Sequence, residues 1–463
     1  MYIPTFYYGN IPIEPWEIPA FLILMIVVWL ISGTVRRRQI KQHSEYTYFL
    51  WGLWAKIAGG IFFGLIYIFY YRGGDTIGYF SSAYSYCELF HYNLNDFWTA
   101  YFGPVSQETL SVFSSKTGEP LGYMYFNDQT RVVIKLLVPF MLVSGKSYFI
   151  SGALVSILTY TGAWRLYQTF VRYFPGHQKN LALAILFMPS VVFWGSGISK
   201  DSYTLAGSCF FLSTISLLID RKGSLIWNVI ILLLSAGLII LIKPYILLIL
   251  LPGTLTWILY SRIQNIRNSL LRYSIVPFTY LAVIMGSYGI LSALGGSFGK
   301  FSIDKALETA VVSQRDLKQE YYEGNSFDIG EFEPTLTGVF SRFPAATIAG
   351  LFRPYLWESR NIVMLLSGLE NFLILIITLY VLFRLKWSVI YSIISHHPIL
   401  LCSFVFSILF AFMIGLTTSN FGALVRFKIP LVPLYMSTIL LLLSQTKRLR
   451  FMKKKKKTLI SGL

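Results

Sequence analysis

Residues Leu50–Phe80 read LWGLWAKIAGGIFFGLIYIFYYRGGDTIGYF. The first part, Leu50–Tyr71, is an apolar run of the length a helix needs to cross a bilayer, about 20 residues. One cation, Lys56, interrupts it near its start, where a long side chain can snorkel to the headgroups. The second part, Arg72–Phe80, places a carboxylate, Asp75, just where the helix leaves the membrane. The Gly73-Gly74 pair before it frees the backbone to fold back over the helix end. An acid at the mouth of a membrane cavity is a candidate base or ion ligand; the plainer reading is a solvated loop carboxylate.

Working outward, the same apolar texture recurs along the chain. Of 463 residues, 55% are hydrophobic, 17% aromatic and only 13% charged. That composition excludes an ordinary soluble domain. No alternation at about ten-residue spacing suggests an outer-membrane barrel. The pattern predicts an all-α polytopic membrane protein with about eleven spans. They are Ile18–Val35, Leu50–Tyr71, Ser147–Phe170, Leu181–Gly197, Ser202–Ile219, Leu225–Ile242, Tyr245–Tyr260, Tyr273–Leu294, Ile362–Phe383, Ile399–Leu416 and Ile429–Ser444. Val132–Val143 is too short to cross and reads as interfacial or re-entrant. The N-terminus lacks a basic leader, so the first span is expected to be retained.

The net charge of +18 sits mostly in short loops between spans, which argues against nucleic acid as a partner. Arg36–Arg38 and Lys41, Arg165, Arg172 and Lys179, Arg221 and Lys222, Arg262, Arg267 and Arg272, and Arg384 and Lys386 share one side with the lysine-rich tail, Lys453–Lys457. The same segments hold just two acids, Glu45 and Asp220. Positive loops stay inside, so the N-terminus is expected outside and the C-terminus in the cytoplasm. The large loops then fall outside: a first outer loop, 72–146, with interfacial helices, and a second, 295–361. Within the second, Ile303, Ala306, Leu307, Ala310, Val311 and Leu317 fall on one helical face. Residues 1–463 read as a single membrane domain, with membrane lipids as partners. The three cysteines and five histidines form no metal-ligand spacing, and no metal ligand is assigned.

By this topology an unusual set of charges lies at outer span ends: Lys200 and Asp201, Lys243, Arg353 with Glu358 and Arg360, and Arg426 with Lys428. Cations outnumber acids there, and their natural complement is a phosphate at the interface. Snorkelling is the competing reading, strongest for Arg360 and Lys428. Glu370, in the middle of a span, could be a proton-relay group, but the favoured reading is a protonated group hydrogen-bonded between helices, near Ser367 or Asn371.

Three lines now carry a resemblance. GGDTIGYF after an early span, Pro189–Asp201 (PSVVFWGSGISKD) and Arg426–Tyr435 (RFKIPLVPLY) together resemble the GT-C superfamily of integral-membrane glycosyltransferases. Asp75 stands alone in its loop, with Glu88 and Asp96 further on. The resemblance implies transfer of a sugar from a polyprenyl-phosphate carrier to a glycan or lipid acceptor, in envelope polysaccharide assembly at the plasma (inner) membrane. Asp75 would then be the catalytic base, and Lys200, Lys243, Arg353 and Arg426 would bind the donor phosphate. Tyr79, Asp201 and Glu358 would support them, with Tyr79 packing on a sugar face. No cofactor is demanded, and a divalent metal remains an option. Two other functions compete: an O-antigen-type polysaccharide polymerase or ligase, which would depend on the arginines alone, and a lipid-linked glycan transporter or flippase, which would place charges or broken helices at the midplane.

Overall fold

The computed structural model describes residues 6–8, 11–263, 285, 311, 312, 314, 316 and 326–460. The expected span Tyr273–Leu294 and most of the expected amphipathic helix lie outside the described residues. What is described is helical apart from one small hairpin, β1 (Phe6–Tyr8) paired antiparallel with β2 (Ile11–Ile13). Six described helices are long and apolar enough to cross a membrane, or up to eight if two bent pairs each count as one. The chain is a helical, multi-pass membrane protein. It divides into two units: 1–169 with 191–211 and 231–243, and 170–190 with 212–230 and 244–463.

The first unit opens with α1 (Glu17–Gln39), closed by Arg36–Arg38 in its last turn, where cations suit the helix dipole. Most of α1 faces away from protein, as a lipid-facing span does. α2 (Phe49–Leu65) continues through a π turn, Ile66–Tyr70. Then come α3 (Asp75–Tyr92), α4 (Leu94–Phe102), α5 (Gln107–Leu110), α6 (Gly122–Tyr125) and α7 (Asp128–Val143). The 72–146 segment is therefore a folded helical layer. Asparagines start its helices: Asn93 accepts from the amides of Asn95 and Asp96, and Asn127 from that of Thr130. Tyr86, Leu89, Phe97, Ala100, Leu137 and Met141 pack between these helices. α7 meets α8 (Tyr148–Tyr173) at a bend of 113°.

The expected span Leu181–Gly197 is two short helices, α9 (Gln178–Ile185) and α10 (Pro189–Trp194). Proline cannot extend a helix whose preceding carbonyl needs its missing N–H, and Pro189 restarts the chain as α10. α11 (Lys200–Ile219), α12 (Leu225–Ile242) and α13 (Pro244–Ile263) follow.

The rest of the second unit comprises α14 (Leu336–Ser341), α15 (Phe343–Phe352), α16 (Ile362–Arg384), α17 (Trp387–His396), α18 (Pro398–Thr417), α19 (Phe421–Phe427) and α20 (Leu431–Ile460). α19 and the start of α20 form the second bent pair, at 69°. α15 lies within the stretch expected as the second outer loop, yet it is apolar and packs closely on α18. A Cβ on Gly350 would fall 2.0 Å from the Ala411 carbonyl oxygen, and one on Gly415 1.9 Å from that of Ala346. Only glycine permits such an approach of two helix backbones.

Candidate functional site

In the first unit, Arg72 (φ 53°) and Gly74 (φ 106°) turn the chain from the end of the α2 span into α3. A Cβ on Gly74 would lie 2.7 Å from the Tyr67 ring, so both its conformation and its surroundings require glycine. The turn makes Asp75 the first residue of α3, exposed, with its carboxylate at the positive end of the helix. Tyr79, one turn on, is 2% exposed and belongs to the core, so it offers no face to a sugar. An exposed ring that interacts electrostatically with Asp75 is that of Tyr123, 72% exposed. Partial burial and then the Asp75 charge hold its phenol above the usual value. Sequence reading missed Tyr123 because it lies far along the chain, in a helix of four residues.

Lys200 and Asp201 open α11. The half-buried Lys200 donates from Nζ to Thr130 Oγ1 at 2.7 Å, tying α11 to α7. Asp201 and Lys243 are both buried and form an ion pair of 2.5 Å. The resemblance places Lys243 among the cations that bind the donor phosphate. Its charge is instead matched by Asp201, which joins the start of α11 to the end of α12.

The turn before Lys200 is built with care. Lys56, expected to snorkel, is 4% exposed and donates to the carbonyl of Gly195. Ser156 Oγ donates to the Ser196 carbonyl at 2.7 Å, and Ser202 Oγ to the Gly197 carbonyl at 2.6 Å. Three successive carbonyls released where α10 ends are thus satisfied by side chains, as unwound backbone within a membrane protein requires. Close packing holds this turn beside α2: a Cβ on Gly59 would lie 2.0 Å from the Val192 carbonyl oxygen, and one on Gly197 2.0 Å from the Phe63 ring. The turn therefore packs along the 56–63 part of α2.

In the second unit, Arg353 follows α15. Its guanidinium lies over the rings of Phe327 and Tyr355, 5.0 and 5.6 Å from their centroids. Its Nε is 3.5 Å from Glu358 Oε1, the pairing partner that the F-R-P-Y-L-W-E line supplies. Phe327 in turn stacks on Phe421 and donates its amide to the Ser419 carbonyl at 2.8 Å. Arg426 is half-buried on α19, and Arg360 is exposed.

Lys428 is 1% exposed, which removes the snorkelling reading. Its Nζ donates to Asn371 Oδ1 and, at 3.2 Å, to the carbonyl of Arg353. Asn371 Nδ2 donates to the Pro354 carbonyl at 3.1 Å. Lys428 and Asn371 therefore hold the backbone that carries Arg353. Glu370 accepts from the amide and the hydroxyl of Ser190, each at 2.6 Å, and interacts electrostatically with Lys428. It bridges helices as expected, through a partner neither Ser367 nor Asn371.

Asp75, Lys200 and Lys243 thus belong to the first unit, and Arg353 and Arg426 to the second. Among the described residues no three His, Cys, Asp or Glu side chains gather as metal ligands. Comparison with protein-family models, curated proteins and solved structures finds no match to this chain.

Proposed function

We propose that the protein is a membrane glycosyltransferase that moves a sugar from a polyprenyl-phosphate carrier to an acceptor hydroxyl. The observation that supports this most is Asp75: an exposed carboxylate at the end of an apolar span, in electrostatic reach of the exposed ring of Tyr123. A carboxylate beside an exposed aromatic suits a sugar, whose hydroxyls need an acceptor and whose C–H face packs on a ring. Asp75 takes the proton of the acceptor hydroxyl as its oxygen bonds to the anomeric carbon. The bond from that carbon to the carrier phosphate breaks, and the phosphate leaves with its electron pair. Lys200, in the same unit as Asp75, answers that charge. Lys243, already paired, serves to place α11.

The finer topology belongs to the same proposal: eleven spans, the N-terminus outside, the C-terminus in the cytoplasm, and the chemistry at the outer face of the plasma membrane. Asp75→Asn tests it. Transfer should fall by about 10²- to 10⁴-fold, the usual share of a general base. Yield, melting temperature and elution in detergent should stay unchanged. Full activity in Asp75→Asn removes the residue from the mechanism.

A further inference from the structure

α4 has three faces. Phe97 and Ala100 are buried against the layer, and Tyr101 beside them donates its hydroxyl to the Lys135 carbonyl on α7 at 2.9 Å. Asn95, Asp96 and Thr99 form a polar face. Between the two runs a stripe of Leu94, Trp98 and Phe102, all exposed, the last at 74%. At about 100° per residue, positions four apart stay on one edge of the helix. Trp98 and Phe102 stack on each other, 5.4 Å apart and 15° from parallel, so the stripe is preformed.

What covers it follows from where α4 is held. α8 has 26 residues, enough to cross a bilayer. At 113° to α8, α7 runs nearly broadside to that axis, the direction of an interfacial helix when α8 crosses the bilayer. α7 pins α4 twice, at Tyr101 and through Arg131, which donates to the Gly103 carbonyl at the end of α4. Cations lie on neighbouring rings: Lys135 is 5.7 Å from the centroid of Tyr101 on α4, and Lys116 5.3 Å from that of Tyr92 at the end of α3. An aromatic and apolar stripe with lysines in the same layer matches the acyl boundary below lipid phosphates.

We propose that Leu94, Trp98 and Phe102 insert into the leaflet next to the 72–146 layer, making α4 an interfacial anchor. This holds whether or not the protein transfers sugars.

The test is nitroxide scanning of the full chain in vesicles of phosphatidylethanolamine and phosphatidylglycerol. Labels are placed at Leu94→Cys, Trp98→Cys and Phe102→Cys, with Thr99→Cys on the polar face as the comparison. The native Cys87, Cys209 and Cys402 are buried, and the unsubstituted chain reads any background. The three stripe labels should collide several-fold more with oxygen, relative to nickel-EDDA, than the Thr99 label does. Equal nickel access at all four positions puts the stripe in water and overturns the proposal. Shielding of the stripe from both reagents means a protein partner or second copy covers it, and overturns it as well. If Trp98→Cys fails to fold, the labels at Leu94 and Phe102 still decide.

Discussion

At Lys243 and Asp201 two opposite charges pair while both side chains are buried. Removing one leaves the other buried and unpaired, so Asp201→Asn should cost about 3–5 kcal/mol, seen as a lowered melting temperature in detergent. Asp201→Asn combined with Lys243→Met should recover much of that loss; no recovery would mean the two act separately. Lys56 follows similar logic with a neutral partner. Lys56→Met leaves the Gly195 carbonyl without its donor and should destabilise by about 1–3 kcal/mol, with Lys56→Arg milder. A melting temperature unchanged in Lys56→Met would place that ammonium elsewhere. Asp75 was legible in the sequence because a charge after an apolar run marks a span end. Lys56, Lys243 and Lys428 were misread for one reason: spacing along a span tells depth, not which neighbour a side chain faces. The partner of Lys243 lies 42 residues away, and the Asn371 partner of Lys428 lies 57 away.

At the scale of elements, apolar runs translated well into helices where they were continuous, as in α1, α2, α11, α12, α16 and α18. They translated poorly where backbone chemistry interrupts a run. Pro189 and the Gly195–Gly197 turn split one expected span, though both were visible in the sequence. Their effect depends on the donors that Lys56, Ser156 and Ser202 supply from other helices. α15 escaped notice because its ten residues, though apolar, are too few to cross a bilayer. Gly415→Leu should separate α15 from α18 and destabilise strongly, by about 1–3 kcal/mol or more. Limited proteolysis reports it, with faster cleavage around α15 expected and an unchanged pattern counting against the contact.

For the whole molecule, composition made the helical membrane class plain, and loop charges set an expected orientation. That orientation has its own check. A cysteine replacing Glu108 should react with an impermeant maleimide on intact cells, and one replacing Arg37 only after permeabilisation; the reverse pattern would invert the topology. The candidate site was legible in part. The chain offered Asp75 and the cations, but Tyr123 emerged only when α6 folded beside the start of α3. The most direct measurement is release of polyprenyl phosphate from a panel of polyprenyl-phosphate hexoses by the purified chain in lipid nanodiscs, with an oligosaccharide acceptor pool. Wild type should release carrier from at least one donor in step with acceptor glycosylation, and folded Asp75→Asn should do so at least about 100-fold more slowly. Equal rates in the two proteins, or no release from any donor by wild type, would contradict the account.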